Sequence, residues 1–217
     1  MTDSLSTATG EAGGNRSKRP PQLNGLILTG GKSRRMGQDK VLLRYGGQPH
    51  LDFLFSLLRP HCTDIRISTR ADQVKNGERS RYPATVDSWG DIGPIGGILS
   101  AFRKQPGAAW LVLACDMPFL DFDTVSQLVV SRNPGVMATC FLRLDNSHPE
   151  PLCAIYEPQA YEILVHAVKS GNHSPRSVLQ HASVHGIVPA SHEALNQVNT
   201  PEEYRLAIQL LAQRDRS

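Results

Sequence analysis

The chain has 217 residues, 40% of them apolar and 20% charged, with a formal net charge of +3, the proportions of a globular protein with a sizeable core. So small a charge, with aromatics at 6%, excludes the basic, ring-studded surface of a nucleic-acid binder, and no apolar run reaches the ~20 residues that a membrane span needs. Cys62, Cys115, Cys140 and Cys153 show no metal-ligand spacing and no secretory signal is visible, so they are expected to be reduced thiols, mostly in the core, of a cytoplasmic protein.

Residues 1–22 are almost wholly polar and are expected to form a disordered tail, leaving 23–217 as a single domain. Leu23–Leu28 reads as a buried strand that breaks into Gly30-Gly31 and a loop carrying Lys32, Arg34, Arg35 and Lys40. A strand ending in such a loop presents backbone N–H groups and positive charge to a phosphate. Gly46-Gly47 signals a turn, and Pro49 opens a helix with Leu51, Leu54, Phe55 and Leu58 at helical spacing. Ile65–Ile67 and 83–86 read as short strands separated by a polar loop, the second ending on Asp87. A second glycine-rich turn, 91–97, leads into a helix predicted over Gly96–Lys104. Trp110–Ala114 is the clearest buried strand and delivers Cys115-Asp116-Met117-Pro118.

The remainder continues the alternation. Asp121 or Asp123 caps a helix burying Val125, Leu128 and Val129. Strands follow at 136–142 and 152–156, then a helix after Pro158 with Ile163 and Leu164 on its apolar face. A helix over 175–182, a strand over 184–188 and a last helix capped by Thr200 complete the chain. Strands alternating with helices predict an α/β fold, a three-layer Rossmann-like arrangement around a mostly parallel central sheet. Ligands of such sheets bind beyond the carboxyl ends of the strands. The turn after Leu28, Asp87 and Asp116 should therefore share one edge.

The first loop can be tested against known phosphate loops. Gly31-Lys32-Ser33 matches the end of a P-loop, but the leading glycine would fall on Leu26, and the Rossmann glycine pattern also fails. What fits is the nucleotidyltransferase signature L-A-[GA]-G-x-S-x-R-M-G-x-D-K, satisfied from Leu28 to Lys40 with only Thr29 departing from the usual alanine. Asp87 ahead of Gly93-Pro94, the run Cys115-Asp116-Met117-Pro118, Pro151–Tyr156 and Val198–Glu203 extend the likeness. From about Leu23 to the last helix the chain resembles the molybdenum cofactor guanylyltransferases, members of the nucleotidyltransferase fold.

The resemblance implies transfer of GMP from GTP to the terminal phosphate of molybdopterin, with release of pyrophosphate and dependence on Mg²⁺. It assigns Arg35 and Lys40 to the phosphates, Asp116 to the metal, and Leu28, Thr29, Gly30, Gly31, Lys40, Ser68, Asp87 and Asp116 to the nucleotide. Asn199 and His148 are candidates for contact with the pterin, although the histidines otherwise read as surface residues. Asp39 reads as a salt-bridge residue that orders the loop. A glycine at position 30 accompanies guanine in this family, whereas alanine accompanies cytosine. Partners would be GTP and molybdopterin, with transient contact to cofactor-synthesis or molybdoenzyme proteins, and neither nucleic acid nor membrane. Two departures stand out: Ser68-Thr69-Arg70 where an asparagine is usual after the second strand, and Gln197 for the first of two paired asparagines. Two alternatives remain. One is a nucleotidyltransferase of the same fold using CTP or another acceptor such as a sugar phosphate. The other is a non-catalytic GTP-binding adaptor, against which Lys40 and Asp116 together argue.

Overall fold

A computed structural model describes residues 19–30, 36, 39–74, 77–144 and 147–214. The expected tail through 18, together with Gly31 and Arg35, lies outside the described residues. Pro21 and Gln22, read with the tail, are already tied to the fold: the Pro21 carbonyl accepts from Arg132 Nη2 at 2.9 Å and the Gln22 carbonyl from the Ala109 amide at 2.8 Å.

Among the described residues seven strands form the central sheet: β1 (Leu23–Leu28), β4 (Ile65–Thr69), β5 (Ala84–Val86), β6 (Ala109–Ala114), β7 (Ala138–Leu142), β8 (Pro149–Tyr156) and β9 (Val184–Ile187). Their spatial order is β5-β4-β1-β6-β8-β7-β9. The pairings β5·β4, β4·β1, β1·β6 and β7·β9 are parallel, and β8 alone runs against both its neighbours. β2 (Arg44–Tyr45) and β3 (Gln48–Pro49) make a separate hairpin. Gly46 and Gly47 turn it at φ of 56° and 80°, where a side chain would be strained.

Alternation along the strands sends side chains to both faces, and helices cover each. Ile27, Leu111 and Leu113 pack with α1 (His50–Leu58) and α3 (Phe122–Val130). Leu26, Leu28, Trp110 and Val112 pack with α2 (Pro94–Lys104), α4 (Ala160–Lys169) and α5 (Pro175–Gln180). This is the expected three-layer arrangement. A smaller third cluster, Met36, Leu43, Phe119, Val198 and Ala207, seats the hairpin and α6 (Pro201–Arg214) at the edge of the sheet.

Several boundaries differ from the sequence reading for local reasons. α2 starts at Pro94 rather than Gly96, because proline is accommodated at the first helical position. Between the two candidate caps of α3, Asp121 is the one used, accepting the Thr124 amide at 2.7 Å. β8 begins at Pro149, three residues early, since its pairing with β7 continues past the hydrophobic run. Ile163 is 39% exposed; Leu164 carries the buried face of α4. No helix among the described residues is long and apolar enough to cross a membrane.

Candidate nucleotide and metal site

The carboxyl ends of β1, β4, β5 and β6 open onto one cleft of about 470 Å³. Leu28, Thr29 and Gly30 come from β1, Ser68 from β4, Asp87 from β5 and Asp116 from β6, with Lys40 and Asn199 closing one side. The fold thus brings together every described residue that the sequence assigned to nucleotide or metal. His148 lies elsewhere, in a separate hollow lined also by Leu142 and His181.

Lys40 is the centre of this cluster. Its Nζ donates to Asp116 Oδ2 at 2.7 Å and to Asn199 Oδ1 at 2.8 Å. Asn199 is delivered by the start of α6, where the Glu203 carboxylate accepts the Asn199 and Thr200 amides while Thr200 Oγ1 accepts the Glu203 amide. This reciprocal cap satisfies donors that the first helical turn leaves open. The Val198 amide donates to the Asp116 carbonyl at 2.8 Å, holding the same segment against the end of β6.

Asp39, immediately before Lys40, accepts the Val41 amide at 3.2 Å and fixes the short 3-10 turn Lys40–Leu42. It is the salt-bridge residue expected, and its partner is Arg79. Both Nη groups of Arg79 engage the Asp39 carboxylate, Nη2 at 2.8 Å, and Nη2 also donates to the Thr29 carbonyl at 3.0 Å. Arg79 is only 4% exposed. It sits in a stretch that reads as a polar loop, and nothing in its spacing marks it as buried.

Thr29 is explained by the same neighbourhood. Its hydroxyl donates to the Ser68 carbonyl at 2.7 Å, so the departure from alanine adds a bond across the β1–β4 junction at the floor of the cleft. Gly30 meets open space among the described residues: a Cβ there would have none of their atoms within 4 Å. Gly96 and Gly97 are the opposite case. A Cβ on Gly96 would lie 2.7 Å from Asp87 Oδ2, and one on Gly97 would collide with the Ser68 hydroxyl and lie 3.0 Å from Leu28. Asp87 is otherwise fixed by the Trp89 amide at 2.9 Å and Ser100 Oγ at 3.3 Å.

Among the described lining residues, four carboxylates (Asp72, Asp87, Asp91, Asp116) outnumber two cations, Lys40 and Arg70. A polyphosphate entering this cleft calls for an added cation. Asp116 fits a hard divalent ion: Oδ2 is paired with Lys40, whereas Oδ1 is buried without a hydrogen-bond partner among the described residues. No three of His, Cys, Asp or Glu converge among the described residues, so phosphate oxygens and water would complete the coordination, as is common for Mg²⁺. Burial holds two groups of the surrounding core, Cys115 and His50, neutral. Burial pushes the Cys115 thiol up to about 12 and His50 down to about 4, the latter partly offset by a hydrogen bond to the Met117 backbone.

Residues 25–187 match the family described as the MobA-like NTP transferase domain. The chain is 37% identical over 194 residues to a molybdenum cofactor biosynthesis bifunctional protein of Synechocystis sp., covering 89% of this chain and 56% of that protein. It thus spans little more than half the length of that relative. It is 30% identical to the molybdenum cofactor guanylyltransferase of Pseudomonas paraeruginosa, covering 84% of this chain and 92% of the relative. The fold is shared with molybdopterin-guanine dinucleotide biosynthesis protein A from Archaeoglobus fulgidus, at a TM-score of 0.73 and 22% identity, over 88% of this chain and 99% of that one. With its cleft at the strand ends, its Lys40–Asp116 pair and a match over most of its length, the chain belongs to the MobA-like NTP transferase family.

Proposed function

We propose that the chain transfers GMP from GTP to the terminal phosphate of molybdopterin, releasing pyrophosphate and forming the guanine dinucleotide cofactor in the cytoplasm. The observation that carries this reading is the Lys40–Asp116–Asn199 cluster beside Gly30, with one Asp116 oxygen left without a partner among the described residues.

The acceptor is a phosphate monoester, whose second pKa near ~6 leaves it ionised at neutral pH. Its oxygen attacks the α-phosphorus, the bond from that phosphorus to the bridging oxygen breaks, and pyrophosphate departs. No proton needs removing, and burial keeps the adjacent Cys115 thiol protonated and out of the chemistry. The chemistry is then positioning and charge stabilisation. Lys40 supplies a cation at the mouth of β1, and Asn199 orients it. Arg35 is the second phosphate cation by resemblance. Asp116 would hold Mg²⁺, which when bound neutralises phosphate charge and withdraws electrons from phosphorus.

The open space at Gly30 supports the guanine preference, because a methyl there would take volume from the ligand and not from the protein. Asp116→Ala tests the reading: turnover with GTP, Mg²⁺ and molybdopterin should disappear while the circular dichroism spectrum and melting temperature hold. Full activity in this variant would remove the metal assignment.

A further inference from the structure

Of the three residues that stand where the resemblance predicts an asparagine, two are committed to the fold. Ser68 is 3% exposed and packed beneath Gly97, and Thr69 is wholly buried. Arg70, half-buried, is the one whose long side chain lines the cleft without being enclosed by the core. Asp72 braces it: Nε donates to Oδ1 at 3.0 Å and Nη2 to Oδ2 at 2.8 Å. A guanidinium carries five N–H donors in a rigid plane. The pair with Asp72 uses the Nε/Nη2 edge and leaves the Nη1/Nη2 edge as a second set of parallel donors.

Position within the sheet says what those donors can meet. Asp116 and Lys40 mark the phosphate end, after β6. Arg70 follows β4, two strands away in the order β4-β1-β6. Two inter-strand steps amount to about 10 Å, room for a ribose between the phosphates and a base. Of the two purines, guanine alone offers two adjacent acceptors, O6 and N7; adenine sets a donor beside its N7. We propose that Arg70, held by Asp72, reads the O6/N7 edge of guanine at the nucleoside end of the cleft. This inference rests on the GTP reading above and names the residue that enforces it.

The test compares binding of GTP and 7-deaza-GTP, each with Mg²⁺, to the full chain by calorimetry. Removing N7 should weaken binding to the native protein by roughly ten-fold, within the discrimination that a bidentate arginine–guanine contact carries. Arg70→Ala should bind both nucleotides alike, and more weakly than the native protein binds 7-deaza-GTP, because the O6 contact goes with the N7 contact. Asp72→Asn should narrow the preference, with GTP losing more affinity than 7-deaza-GTP. Melting temperatures should stay put, since both side chains stand at the rim. A native protein that binds GTP but does not distinguish it from 7-deaza-GTP would overturn the Arg70 assignment. So would an Arg70→Ala variant weakened equally for both, which would place the side chain on ribose or phosphate. A native protein that binds CTP and not GTP would instead overturn the underlying GTP reading.

Discussion

Arg79 and Asp39, forty residues apart in sequence, form a forked ion pair whose arginine also donates to the Thr29 carbonyl. One side chain therefore ties the residues on both flanks of the phosphate-loop segment to each other. It also holds the turn that aims Lys40 at Asp116.

Replacing Arg79 with Met should accordingly damage binding as well as stability. Removing one partner of a buried charged pair typically costs 3–5 kcal/mol, and the 32% exposure of Asp39 puts the expected loss lower, at about 2 kcal/mol. In a chain of this size that lowers the melting temperature by about 4–8 °C. Nucleotide affinity, read by calorimetry, should fall by about ten-fold as Lys40 loses its support. Arg79→Lys should recover little of either, because an ammonium cannot reproduce the fork. Unchanged nucleotide affinity in Arg79→Met would separate the staple from the site.

The two ends of the cleft respond differently to the same methyl group. At Gly97 an added Cβ meets Ser68 and Leu28, so Gly97→Ala must displace β4 or α2 and should destabilise the fold by about 1–3 kcal/mol, read as a lower urea midpoint. At Gly30 the methyl enters open space, so Gly30→Ala should leave the urea midpoint within error and shift the ratio of GTP to CTP turnover toward CTP. Equal loss of stability in both variants would contradict the distinction.

His50 gives the fold a pH signature. Burial lowers its pKa to about 4 from the ordinary 6.5, so the native state holds the ring neutral while the unfolded chain takes up a proton below about 6.5. Stability is fully present above that pH and is lost as pH falls toward 4, by up to about 3 kcal/mol. His50→Phe, compared with the native protein in urea unfolding between pH 7 and pH 4.5, should show a shallower decline. Parallel curves would exclude His50 as the source.

Much of this arrangement is legible before any coordinates. The short apolar runs at 23–28, interrupted only by Asn24 and Gly25, and at 110–114 read as buried strands because glycine-rich turns and polar loops bound them, and parallel-sheet geometry then brings Asp116, Asp87 and Gly30 to one edge. What the sequence does not show has physical causes. Arg79 is buried by a pairing that only the fold creates, and a lone arginine in a polar stretch carries no periodic signal. The reversed direction of β8 leaves no mark in a strand buried on both faces. Asn199 could be assigned to the substrate from the resemblance, but its bond to Lys40 spans 159 residues and depends on the cap of α6.

The most direct measurement is pyrophosphate release across a panel of nucleotides and acceptors, with the full chain and Mg²⁺. GTP with molybdopterin should support turnover, CTP with molybdopterin should be much poorer, and GTP with a sugar phosphate should give none. Release with a sugar phosphate but not with molybdopterin, or with CTP in preference to GTP, would contradict the proposed reaction.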